Sequence, residues 1–322
     1  MLVISEKDIL EAVTVPEVID AVEQAFRMYE RKEFLMPDRM HIEYKENTLL
    51  LMPCFTEEAF GTKLVSVFPG NAAYHVPTLN GLMVLNDIHT GIPMALINGP
   101  VLTALRTGGV GSASIRHLTP DDTSTLGIVG AGVQGYYQAY CAAFTRPLKD
   151  IYVFDQLPEK IPSFTKRLSI VIPDVRIHAA ANPKELLEKS SIVITTTTSS
   201  TPVLPDDQEL VKGKHFVGIG SYKPGMREYP ESLFHLLHRV FIDTDLAIQE
   251  SGDLATPIKN GWITSDQIFT LGHLLDADED PASIHQETTF FKSVGMALFD
   301  ICVSKLVYEN VMRKGLGKQV DL

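Results

Sequence analysis

The hydrophobic positions along this chain follow two different rhythms. Near the start, Val18, Val22, Phe26 and Tyr29 recur at helical spacing, which predicts a helix with one buried stripe. Thr14 to Glu17 gives that helix a T-x-x-E capping box, with Pro16 tolerated in its first turn. After Pro37 the pattern shortens to extended runs at 40–44, 48–52, 61–68, 82–86 and 93–98. The polar run 86–91 joins the last two as a hairpin. A helix is expected across 101–115, so the first third reads as a small α+β unit.

From 119 onward strands alternate with helices. Strands are expected at 125–129, 150–154, 192–197, 215–219 and 239–243, and helices near 133–144, 158–169 and 183–189. Asn182, Pro183 and Glu185 supply a cap, a first-turn proline and a first-turn acid for the last of these. Such alternation implies a parallel, doubly wound sheet. The segment 288–313 reads as one long helix packing back on the first domain. The fold class expected is therefore α/β: a doubly wound Rossmann sheet plus a smaller α+β substrate and dimerisation domain. The smaller domain takes 1–118, completed by the C-terminal helix within 296–322, and the dinucleotide-binding domain takes 119–295.

Composition narrows the partners. A 322-residue chain that is 45% hydrophobic and 21% charged can build two ordinary cores. Its net charge of −12, with Lys and Arg scattered, argues against nucleic acid and against an anionic membrane surface. Cys54, Cys141 and Cys302 are far apart and lack C-x-x-C spacing, which fits reduced thiols in the cytoplasm. The start of the chain has no signal-peptide pattern, and no apolar run approaches the roughly 18 residues of a membrane span.

The strongest motif is Gly130-Ala131-Gly132-Val133-Gln134-Gly135, between the apolar run Leu126–Val129 and a helix. In that setting G-x-G-x-x-G places a pyrophosphate on the N–H groups that open the helix. Asp155 ends the next strand, where a carboxylate receives the adenosine ribose hydroxyls and repels a 2′-phosphate. It favours NAD over NADP; the alternative is an aspartate that merely caps its turn. The run 195–200, with Thr198 and Ser199, offers hydroxyls to ribose or phosphate, or is simply a solvated strand end.

Arg39, Lys63 and Arg106 lie among apolar neighbours, and a buried cation requires an anion. Structural carboxylates or contact with solvent would serve as well as a ligand. His235 and His238 have no further ligand-type residues nearby and are not read as a metal site, and His75 and His117 receive no role.

Six ordered segments carry a resemblance. They are 61–63 with 68–69, 102–107, 130–134, 224–228, 250–253 and 291–295. Over nearly its whole length the chain resembles the ornithine cyclodeaminase/μ-crystallin family. The resemblance implies a homodimer and an amino-acid or imino-acid substrate whose carboxylate is gripped by Arg39, Lys63 and Arg106. It adds Thr107 and Ser293 to the cofactor contacts. Cyclodeaminases of the family carry a Glu and an Asp where this chain has Leu50 and Tyr222. Reduction of a cyclic imino acid, such as Δ1-pyrroline-2-carboxylate to proline, is therefore the expected activity, with Lys63 as a candidate proton source. Cyclodeamination of ornithine, open-chain amino-acid dehydrogenation and non-catalytic ligand binding are the alternatives.

Overall fold

The computed structural model describes residues 1–277 and 283–321; residues 278–282 and 322, inside the expected domain ranges, lie outside it. The chain divides into two compact units, Met1–Arg106 with Met296–Leu322, and Thr107–Gly295. The division falls inside one continuous helix, Gly99–Leu118.

The first unit holds strands β1 (Leu2–Ile4), β2 (Met40–Tyr44), β3 (Asn47–Phe55), β4 (Ala59–Val67), β5 (Leu79–Asp87), β6 (Pro93–Asn98) and, at the chain end, β15 (Lys318–Gln319). They form one sheet in the order β15-β1-β6-β5-β4-β3-β2. Its antiparallel register aligns Met52, Lys63, Met83 and Ile97 in one cross-strand row. All four are buried, so Lys63 shares the core face with three apolar side chains. Two helices cover that unit's core. Val15–Arg31 starts at the expected capping box and buries Val18, Val22, Phe26 and Tyr29. Ala297–Lys314 packs against it and against β3, β4 and β5, with Phe26 and Phe299 in edge contact at 4.9 Å.

The second unit holds β7 (Thr125–Val129), β8 (Asp150–Phe154), β9 (Arg176–Ala179), β10 (Ile192–Thr195), β11 (His215–Gly218), β12 (Val240–Ile242), β13 (Ile268–Thr270) and β14 (Thr289–Lys292). The sheet runs β13-β12-β14-β11-β10-β7-β8-β9 with every pair parallel. Strand order leaves β7 in opposite directions, toward β8 on one side and β10 on the other. That reversal is the topological switch point at which doubly wound sheets bind ligands.

One expectation is corrected. The segment from 288 is not the start of a long helix: Thr289–Lys292 is strand β14, between β11 and β12, and the helix begins only at Ala297. Thr288, Thr289, Phe290 and Phe291 are β-branched or aromatic and all buried, as a strand covered on both faces requires. Gly295 (φ 79°) then turns the chain out of the strand. Smaller differences are the absence of β1, β9, β13 and β15 from the sequence reading, and a short 3-10 turn, Pro158–Lys160, that opens the helix expected at 158–169.

Candidate active site

At the switch point the glycine motif takes the geometry its spacing demands. Gly130 follows β7 with φ 109°, a conformation closed to most side chains. Gly132 caps the helix Val133–Ala142 without any side-chain hydrogen bond, leaving its first N–H groups open to an acceptor. A Cβ on Gly135 would strike the Gly130 carbonyl, so helix and strand approach only because this residue is glycine.

A cleft of about 730 Å³ opens there, lined by Gly130, Gly132, Asp155, Lys160 and the run Thr196–Val203. It therefore brings together Gly130, Gly132, Asp155, Thr198 and Ser199 among the expected cofactor residues. Ala131, Val133, Gln134, Thr107 and Ser293 are not among its lining residues. Asp155 accepts from Ala131 N–H at 2.7 Å and Leu157 N–H at 2.9 Å, with Lys160 Nζ at 3.8 Å. The carboxylate thus ties the glycine loop to the turn after β8 at the edge of the cleft. Val133 is exposed, and the Gln134 side-chain oxygen is buried without a hydrogen bond. The Thr107 carbonyl accepts from Gln138 Nε2 at 2.7 Å. The Ser293 hydroxyl donates to Asp243 at 2.7 Å, and the same carboxylate oxygen receives Val294 and Gly295 N–H.

In the first unit the three expected cations do converge, around a residue the sequence reading missed. Lys63 Nζ donates to Asp300 Oδ2 at 2.7 Å, and Arg106 Nε donates to Asp300 Oδ1 at 3.1 Å. Lys63, Arg106 and Asp300 are buried, and Arg39 lies near enough for its charge to act on Lys63. Burial pushes the Lys63 ammonium down to about 8; Asp300 opposes that, and Arg106 and Arg39 add to it. One carboxylate thus bonds two positive side chains, and Arg106 Nη1 is buried without a hydrogen-bond partner. An uncompensated buried cation of this kind is stabilised by a further anion. Asp300 did carry a signal: an acid between Phe299 and Ile301, on the apolar part of a helix.

Among the described residues no group of three or more His, Cys, Asp or Glu could hold a metal ion. Among them also no helix is long and apolar enough to cross a membrane.

The family model for the ornithine cyclodeaminase/mu-crystallin family matches residues 1–315. The chain belongs to that family. It is 32% identical to a Δ1-pyrroline-2-carboxylate reductase of Bacillus cereus, over the full length of both. The solved Δ1-pyrroline-2-carboxylate reductase of Thermococcus litoralis, in complex with NADH and L-proline, superposes with a TM-score of 0.89 at 30% identity, covering 99% of this chain and 100% of that one. An archaeal alanine dehydrogenase dimer with bound NAD gives 0.88 at 26% identity, covering 100% and 99%.

Proposed function

We propose that this protein is an NADH-dependent reductase of a small cyclic imino acid, of the kind that turns Δ1-pyrroline-2-carboxylate into L-proline. The observation that carries the reading is the Lys63–Arg106–Asp300 cluster, which retains net positive charge and an unbonded guanidinium nitrogen. A carboxylate completes it, Arg106 and Arg39 orienting the anion through charge-assisted bonds. The homologous Bacillus cereus reductase, and the Thermococcus litoralis reductase in complex with NADH and L-proline, support the same chemistry.

The cleft at Gly130–Gly132 fits a dinucleotide: it has a helix N-terminus for the pyrophosphate, Asp155 for the ribose, and room for both. When bound, the cofactor supplies a hydride to the imine carbon, while the imine nitrogen ends with a proton. Lys63 is our candidate for holding that proton, since burial brings its ammonium down to about 8. We assign cofactor binding to the second unit and substrate binding to the first. Ala131, Val133, Gln134, Thr107, Thr198, Ser199 and Ser293 remain proposed cofactor contacts.

A homodimer belongs to the same reading. Met40, Leu51, Leu64 and Leu82 align across β2 to β5, and Met40, Leu64 and Leu82 are exposed. A row of that kind suits a second copy of the sheet, and the alanine dehydrogenase relative is a dimer. We place the protein in the cytoplasm, where Cys54, Cys141 and Cys302 stay thiols.

The test is NADH oxidation with Δ1-pyrroline-2-carboxylate, beside an ornithine-plus-NAD assay for ammonia. NADH loss with the imine and no ammonia from ornithine supports the reductase. Ammonia and proline from ornithine without net NADH change would overturn it, despite the absence of a carboxylate at Leu50 and Tyr222.

A further inference from the structure

Three of the segments that carry the family resemblance meet beneath the carboxyl ends of the second unit's strands. Glu228, Asp253 and Lys292 are all fully buried. Glu228 Oε1 accepts from Thr197 N–H at 2.7 Å and from the Thr197 hydroxyl at 2.8 Å. Its other oxygen accepts from Gly220 N–H at 2.9 Å and Ser221 N–H at 3.1 Å. Asp253 Oδ1 in turn receives the N–H groups of Glu228 and Tyr229 at 2.7 and 3.2 Å, and Lys292 Nζ stands 3.4 Å from Asp253 Oδ2. Burial and Asp253 push the Glu228 carboxyl up, while Lys292 and the Thr197 donors act the other way. Four donors on two oxygens is the full complement of an ionised carboxylate, a costly arrangement to bury unless each bond has work to do.

The placement says what the work is. Thr197 follows β10 and lines the cleft, whereas Gly220 and Ser221 follow β11. With the adenosine ribose at Asp155 beyond β8, and the pyrophosphate at the end of β7, the rest of a dinucleotide must run the other way, over the ends of β10 and β11. Glu228 is bonded to both of those ends. We propose that Glu228 is a positioning residue for the nicotinamide half of the cofactor, acting through Thr197 on one strand end and Gly220–Ser221 on the next. Asp253 accepts the Glu228 backbone N–H, and Lys292 faces Asp253. The inference rests on the cofactor reading above and adds to it the residue that shapes the end where hydride leaves.

Dissociation constants for NADH and for ADP-ribose, which lacks the nicotinamide, separate this role from a merely structural one. In Glu228→Gln an amide nitrogen must face N–H donors from one strand end or the other, leaving a buried donor without an acceptor. NADH affinity should fall tenfold or more while ADP-ribose affinity stays within twofold. Thr197→Val removes only the hydroxyl donor and should weaken NADH in the same direction by a smaller factor. Equal losses for both ligands, or an unchanged NADH constant, would overturn the proposal. Should Glu228→Gln fail to fold, Thr197→Val decides it alone, unaltered NADH binding counting against the clamp. A wild-type protein that binds neither ligand overturns the cofactor reading itself and the clamp with it. One that binds both, with variants indistinguishable from it, overturns the clamp alone.

Discussion

Asp300 and Lys63 are separated by 237 positions in the chain and by 2.7 Å in the fold. The contact joins the C-terminal helix to the core face of β4, and Arg106 shares the same carboxylate. Removing that carboxylate leaves two buried cations facing each other. Asp300→Ala should therefore cost about 3–5 kcal/mol, the usual cost of stripping one partner from a buried ion pair. Denaturant titration measures it. Saturating L-proline should restore more stability to the variant than it adds to the wild type, because a bound anion takes over part of the lost charge. A loss below about 1 kcal/mol would mean that the pair is relaxed by solvent.

Lys63 itself is expected to serve turnover more than binding of the cofactor. Lys63→Met keeps the length and apolar body of the side chain and removes the ammonium. It should lower kcat/KM for the imino acid by a factor of about 100 or more, the scale of a lost acid and charged contact, with the NADH constant nearly unchanged. Near-normal rates in this variant would remove Lys63 from the mechanism.

The contrast between Lys63 and Asp300 shows where sequence reading reaches its limit. Lys63 is conspicuous because it puts a charge among apolar neighbours in an extended run, and Gly130 and Asp155 because a local strand–turn–helix grammar surrounds them. Asp300 has a weaker marker, an acid between Phe299 and Ile301, and an acid in a helix is ordinary until the sheet beneath it is known to hold a lysine. Strand β14 failed for a related reason. Its four residues run directly toward the helix at Ala297, and short apolar runs do not distinguish a buried strand from a helical start. Only its pairing with both β11 and β12 decides the matter. Glu228 was visible as part of a family segment, but its four donors come from loops 7 to 31 positions away.

Cofactor choice is expected to turn on Asp155. Its carboxylate stands at the mouth of the cleft with Lys160 at 3.8 Å, so the charge that repels a 2′-phosphate also holds back a lysine that would attract one. Asp155→Asn removes the charge and keeps one of the two acceptor oxygens, for either the Ala131 or the Leu157 N–H. The ratio of kcat/KM for NADPH over NADH should rise at least about tenfold, or about 1.4 kcal/mol. An unchanged ratio would place cofactor discrimination elsewhere.

The depressed Lys63 ammonium predicts two pH effects of opposite sign. Its ordinary value is 10.5 and burial brings it to about 8 in the fold. Between those values the unfolded chain binds the proton and the folded one does not, so this group makes stability rise with pH from about 8 to about 10.5. Below about 8 both states are protonated and the cost of the buried charge is present in full. Activity should move the other way: above about pH 8 the site loses one of its positive charges, and kcat/KM for the carboxylate substrate should fall about tenfold per unit. Asp300 holds the proton on, while Arg106 and Arg39 favour its release. The substrate's own imine could produce a similar limb, and Lys63→Arg separates the two. A guanidinium stays charged throughout this range, so the limb should vanish if it belongs to Lys63. If it persists unshifted in an active Lys63→Arg enzyme, the titrating group is the substrate.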